Sequence, residues 1–221
     1  MALIQMRTAD GSTIGNPPTG DFFIFIDSNN ANKYTLRDSS GTDTILGGGG
    51  GTGTLFGLFN QTSPGPTINT APEQSIVGTG VGSLTVPANS FVVGDGYHAK
   101  IGGRLNATGG GGRSEIIIRV KNGTTVLAST GIFDLDTATN QGWECELDFT
   151  VAAIGTTGSI VTNGNFAYTK DGNRQVFGYI FQDSQTIDTT VSNTLDITVE
   201  WNVINAGDDI FSANFVLYKT Y

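Results

Sequence analysis

Few side chains in this sequence are of the kind that do chemistry. His98 is the only histidine and Cys145 the only cysteine. A lone imidazole could act as a general base. A hydrolase triad is often announced by a serine elbow, however, and no G-x-S-x-G occurs. In Tyr97-His98-Ala99-Lys100 the alternation points His98 away from Tyr97 and Ala99, so it reads as a strand residue on a polar face. Two histidines for a zinc site cannot come from one chain, although three copies of His98 could meet on a trimer axis. Cys145 falls on the apolar side of its strand, where a buried, inert thiol is expected instead of a nucleophile.

The carboxylates are more numerous but poorly grouped. Asp134 and Asp136, in Gly131-Ile132-Phe133-Asp134-Leu135-Asp136-Thr137, resemble the opening of a calcium loop. Position five is Ala138, and the spacing to the required glycine and terminal glutamate fails. Asp208-Asp209 is a second loop pair, and both pairs read as solvated turn carboxylates. Glu144, Glu146 and Asp148 suggest the paired acids of glycoside hydrolysis. They share the polar face of one strand, so they do not converge in a cleft. Residues 48–53 fit G-x-G-x-x-G only because residues 47–51 are all glycine. No helix opens after them and no Lys-Ser/Thr follows, so no phosphate-binding loop is expected. The sequons at Asn60, Asn106 and Asn122 read as chance occurrences in an Asn- and Thr-rich chain. No catalytic, cofactor-binding or metal-ligating residue is expected, and no cofactor.

The elements that carry these residues are strands. Trp143, Cys145, Leu147, Phe149 and Val151 alternate with Glu144, Glu146, Asp148 and Thr150. Leu195, Ile197, Val199, Trp201 and Val203 alternate with Asp196, Thr198, Glu200 and Asn202. Both runs are period-2 strands with one buried and one solvated face. Asn122-Gly123, between Arg119-Val120-Lys121 and Thr124-Thr125-Val126, signals a tight hairpin. Further strands are expected over Glu73 to Gly78, Tyr97 to Leu105, Ser159 to Tyr168, Gln175 to Phe181 and Phe211 to Tyr221. No window sustains helical periodicity. Residues 54–221 therefore read as an antiparallel sandwich of about eight to ten strands, in jelly-roll style.

The N-terminal 46 residues are a separate β module. Turn chemistry at Asp10-Gly11, Asn16-Pro17-Pro18-Thr19-Gly20, Ser28-Asn29-Asn30 and Ser40-Gly41 brackets two strands, and Thr42 to Leu46 can add a short third. A hairpin or three-stranded meander results. Phe22-Phe23-Ile24-Phe25-Ile26 is apolar on both faces, and an isolated sheet of this size is marginal in water. Two solutions are open: burial against another chain or copy, or a place as the central strand of one larger domain. Residues 47–53, Gly47 to Gly53, form the linker between the modules.

Composition bounds the partners. The net charge is −9, and the 11 basic residues are scattered with no two adjacent. A phosphate-binding surface needs clustered Lys and Arg, so nucleic acid is not an expected partner. Charged residues make up only 14%, while 32 glycines accompany many Ser, Thr and Asn, a composition of short strands and turns. A single cysteine forbids an internal disulfide and fits folding in a cytoplasm. No segment approaches the roughly 20 apolar residues of a membrane helix, and Met1 to Asp10 reads as no secretory signal, so no membrane insertion is expected.

Several stretches resemble parts of a known protein class. Asn16-Pro17-Pro18-Thr19-Gly20, Phe23-Ile24-Phe25-Ile26-Asp27 and Tyr34 to Thr42, with its Asp38-Ser39-Ser40-Gly41-Thr42 turn, resemble the N-terminal module of phage fibre and virion-decorating proteins. Gly78 to Asn89, Ile160 to Phe166 and Leu195 to Trp201 resemble the jelly-roll heads of phage and large-virus structural proteins. Such heads commonly trimerise in the manner of tumour-necrosis-factor-like domains. The resemblance implies a non-enzymatic, homotrimeric protein of the virion surface, made in the host cytoplasm. Its expected partners are its own copies, a major capsid protein or other virion protein, and a host surface glycan or receptor. Phe22, Phe23, Ile24, Phe25 and Ile26, with Tyr34 and Leu36, are the expected assembly and anchor residues. Decoration, cement or head-fibre roles are expected ahead of a short tail fibre, because no coiled-coil or Gly-X-Y shaft separates anchor from head. A carbohydrate-binding module is the rival from another class, and a glycosidase the third reading.

Overall fold

The computed structural model describes residues 8–9, 12–19, 21–27, 33–45, 57–109, 113–170 and 179–220. Two compact units divide the chain, Met1–Leu55 and Phe56–Tyr221. The linker expected at residues 47–53 and the turns at Asp10-Gly11 and Ser28-Asn29-Asn30 lie outside the described residues. Among the described residues every regular element is a strand, and the strands pair almost entirely antiparallel without closing a barrel.

The small unit is a four-stranded sheet. Its strands are β1 (Thr8–Ala9), β2 (Phe22–Asp27), β3 (Lys33–Asp38) and β4 (Asp43–Ile45), in that spatial order. Strands β2, β3 and β4 form the meander read from the sequence. Strand β1 adds to it in parallel, with Thr8 opposite Ile26. The β3–β4 turn is built by Asp38, whose Oδ1 accepts from the Ser40 amide at 2.9 Å, the Ser40 hydroxyl at 2.6 Å and the Thr42 amide at 2.9 Å. Gly41 takes φ +88°, a conformation that an L side chain resists.

The large unit is a two-sheet sandwich. One sheet is built around β9 (Gly96–Ala107), β13 (Ala138–Ala153), β14 (Gly158–Tyr168), β15 (Tyr179–Ile187) and β17 (Asp209–Lys219). Two shorter strands, β5 (Gly57–Gln61) and β7 (Gly80–Gly82), complete the order β15-β14-β13-β9-β17-β5-β7. The second sheet runs β11-β10-β16-β6, from β11 (Thr125–Ser129), β10 (Ser114–Asn122), β16 (Asn193–Val203) and β6 (Gln74–Ser75). To it are added β8 (Thr85–Val86), on β16, and β12 (Phe133–Leu135), on β10. The chain passes from β9 to β10, from β12 to β13, from β15 to β16 and from β16 to β17, changing sheet each time. This is the crossing pattern of a jelly roll. Short strands of two or three residues, β6, β7, β8 and β12, raise the total above the eight to ten expected.

The alternating residues meet between the sheets. Cys145, Leu147, Phe149 and Val151 of β13 face Ile197, Val199 and Trp201 of β16 in one buried apolar cluster. Two local devices shape the packing. Strand β17 bulges between Ser212 and Asn214, and the Trp143 indole donates to the carbonyls of Phe211 at 3.1 Å and Arg104 at 3.2 Å. A β-carbon on Gly103 would stand 1.9 Å from that Phe211 oxygen, so only glycine fits beside the bulge. The hairpin at Asn122 also differs in detail from the sequence reading. Asn122 pairs with Thr125, so Gly123 and Thr124 form the two-residue loop. Gly123, at φ +58°, stands first in it, the glycine position of a II′ turn.

Candidate functional site

The expected anchor residues lie on the central strand β2 and its neighbour β3. Antiparallel register sets Phe23 opposite Arg37, Ile24 opposite Leu36, Phe25 opposite Thr35 and Ile26 opposite Tyr34. Period-2 geometry then puts Phe23, Phe25 and Asp27 on one face, and Phe22, Ile24 and Ile26 with Leu36 on the other. The first face is closed over Phe25 and Asp27, while Phe23, nearer the start of the strand, is 42% exposed. Arg37, 8% exposed, lies over the Phe25 ring at 5.7 Å and binds Asp43 through both guanidinium branches, at 2.7 and 2.6 Å. Its remaining Nη1 donates to the Ile14 carbonyl. Hydrogen bonding to Arg37 also holds the Asp43 carboxyl below its ordinary range.

The second face is not closed. Phe22 is 59% exposed and Ile24 37%, while Ile26 and Leu36 are half-buried. The Tyr34 side chain lies outside the described residues. Three adjacent large apolar side chains thus reach solvent from one strand, whereas Phe25 and Asp27, at 4% and 8%, are buried. Single exposed apolar residues need no explanation, but contiguous ones mark contact surfaces.

In the large unit the residues that could do chemistry are held apart, each by a structural partner. His98 projects from the outer face of β9, with Nδ1 2.8 Å from Asp148 Oδ1 and its ring 5.1 Å from that of Tyr218. Lys100, two residues on, bridges Glu144 at 3.2 Å and Glu146 at 2.6 Å. Its hydrogen bond holds Glu146 below the usual carboxylate range. Cys145 is fully buried, and loss of solvation pushes its thiol up to about 12. Asp134 pairs with Arg113 at 2.9 Å and Asp136 with Lys170 at 3.0 Å, so the two do not share a ligand-binding loop. Among the described residues no three His, Cys, Asp or Glu side chains gather as a metal site.

Asp208 departs from its expected place in solvent. It is 2% exposed. Its carboxylate accepts from the amides of Asn205 and Thr108, both at 2.7 Å, and from the Thr108 hydroxyl at 2.9 Å. Burial opposes its ionisation, but these bonds outweigh burial and lower its pKa. It ties the β16–β17 loop to the end of β9.

A second surface was not visible in the sequence. Strands β9, β14 and β16 begin, and β13 and β15 end, at one end of the sandwich. The loops there are knit together. The Asn89 amide donates to the Thr189 carbonyl at 2.9 Å, the Gly94 amide to Val151 at 2.8 Å and the Thr189 amide to Gly155 at 3.0 Å. From these three loops Val92, Val93, Ile154 and Val191 stand 61%, 56%, 51% and 51% exposed. They are far apart in sequence, and no local pattern joins them.

The chain matches no protein family, no curated protein and no solved structure.

Proposed function

We propose that this chain is a non-enzymatic structural protein of a phage virion surface, a homotrimeric capsid decoration, cement or head-fibre protein. Residues 1–55 attach it to the particle, and residues 56–221 form the outward knob. The observation that carries this reading is the open face of β2, where Phe22 and Ile24 reach solvent together, although on the opposite face of the same sheet Arg37 and Asp43 cover Phe25. A soluble domain of this size gains by covering such a patch, and a lattice of capsid or sister subunits offers the cover. The virion setting and the number three rest on the resemblance of Asn16 to Thr42 and of the jelly-roll stretches to phage structural proteins. The ionisable groups favour no enzyme, since His98 is hydrogen-bonded to Asp148 and Lys100, Glu146, Asp134 and Asp136 are each spent on an ion pair.

A short tail fibre that contacts a host receptor is the second reading. It is favoured by the aliphatic loop tips Val92, Val93, Ile154 and Val191. A carbohydrate-binding module is less well supported, because an exposed tryptophan platform is its usual tool and Trp143 and Trp201 are 5% and 1% exposed. Electron microscopy of phage particles labelled with an antibody to residues 56–221 tests the proposal. Label spread over the capsid is expected. Label confined to the tail tip selects the fibre reading, and unlabelled particles overturn both.

A further inference from the structure

The two sheets of the large unit leave a cavity of about 50 Å³ between them, near the end where β9 begins. Tyr97, Phe149 and Leu217 wall it from one sheet, and Leu127 and Leu195 from the other. Leu58 on β5, and Leu84 and Val86 beside β16, are only half-buried and form its mouth along the sandwich edge.

Two amides reach the lining, Asn122 and Asn193, and both are committed. They bond to each other, Asn122 Oδ1 accepts from the Thr194 amide at 2.9 Å, and Asn193 Nδ2 donates to the carbonyls of Asp188 at 3.0 Å and Val191 at 2.8 Å. The Tyr97 hydroxyl is turned to Asp95 Oδ2 at 3.2 Å. A buried water needs two to four polar partners, so this space is dry. Atoms lining a dry void lack dispersion partners on one side, and an apolar occupant restores them. The volume is about a third of an engineered cavity, roughly 150 Å³, that accepts benzene. That excludes rings and branched groups and leaves room for a chain one methylene wide.

We propose that this cavity binds the end of an unbranched aliphatic chain, with the polar head of the amphiphile left in solvent beyond Leu58 and Leu84. The test is a titration of the full chain, isotope-labelled at its methyl groups, with straight-chain 1-alkanols from propanol to octanol. Saturable shifts are expected at Leu127, Leu195, Leu217 and Val86. Affinity should tighten about fourfold per methylene until the cavity is full, and then level off. Leu84→Trp, at the half-buried mouth, should abolish the saturable shifts while leaving the remaining spectrum unchanged. If that variant misfolds, xenon under pressure on the native chain replaces it, with bound xenon expected between Phe149 and Leu195. Monomeric alkanol producing these shifts points to a free amphiphile, and shifts seen only with phosphatidylcholine vesicles point to a bilayer-held chain. Shifts that are linear and spread over the surface, equal binding of tert-butanol, or xenon absent from the cavity would each overturn the proposal.

Discussion

The indole Nε1 of Trp201 donates to the backbone carbonyl of Ile68 at 3.1 Å, joining β16 to the long connection between β5 and β6. Ile68 in turn exchanges amide hydrogen bonds with Ile210, at 2.8 and 3.1 Å, on the opposite sheet. Both Ile68 and Ile210 are 0% exposed, so this connection is a strap across the core and not a surface loop.

Trp201→Ala is therefore expected to cost about 3–5 kcal/mol, the range for truncating a buried aromatic. Trp201→Phe keeps most of the ring and removes one of the two hydrogen bonds to the Ile68 carbonyl, which keeps the Ile210 amide, at a cost of about 0.5–1.5 kcal/mol. Denaturant melts of the large unit measure both. Equal losses in the two variants would mean that the hydrogen bond to Ile68 contributes the whole effect.

Phe149→Ala, on the inward face of β13 at 4% exposure, belongs to the same range of about 3–5 kcal/mol. Thr150→Ala, next to it on the exposed face, should stay within about 0.5 kcal/mol. Comparable losses at the two positions would contradict the facing of this strand.

Gly103→Ala should destabilise the large unit more than an ordinary glycine substitution in a strand, because the new methyl meets the Phe211 carbonyl and the Ala213 amide beside the bulge. Neither is a side chain that can swing away. A loss of about 1–3 kcal/mol is expected from thermal melts, whereas Gly142→Ala, where nothing lies within 4 Å, should be neutral or nearly so.

Much of this core was legible because the inward residues of β13 and β16 are bulky and strictly alternating. What escaped has physical reasons. Strand β15 was expected over Gln175 to Phe181 but runs Tyr179–Ile187, and Gln175 to Gly178 lie outside the described residues. Its Gln182, Asp183, Ser184, Gln185 and Thr186 show no apolar period, since an edge strand needs few inward anchors, and Phe181 and Ile187 supply them. Thr198 alternates as a solvent residue yet is 5% exposed, because Glu73 from a distant segment covers it and accepts its hydroxyl at 2.6 Å. Asp208 looks like any loop carboxylate until three donors converge on it. In each case the deciding partner is far away in the chain, beyond the reach of local periodicity.

Acid should destabilise the large unit in a way that Asp95 and Asp208 control. Burial works against ionisation of both, but Lys219 and the Val92 amide at Asp95, and the Asn205 and Thr108 amides at Asp208, lower their pKa values. A carboxyl with a depressed folded-state pKa contributes stability in full above its unfolded value of about 3.9, and loses it as pH falls through the folded value. Melting temperature should therefore be flat near neutrality and decline below about pH 4. Asp208→Asn should melt lower at pH 7 and lose less on acidification. Parallel curves for the two proteins would assign the acid loss to other groups.

The proposed division of labour makes its sharpest prediction about which unit holds the particle. Residues 56–221 contain their own buried core, whereas the open apolar face belongs to β2. The direct measurement is co-sedimentation with phage particles stripped of the native protein. Three samples are compared: the full chain, a fragment of residues 56–221, and residues 1–55 fused to an unrelated trimeric carrier. Sedimentation of the full chain and of the carrier fusion, with loss of both when Phe22 and Ile24 are changed to serine, is the expected result. A fragment of residues 56–221 that decorates the particles as well as the full chain does would contradict it, and would make the knob itself the attachment point.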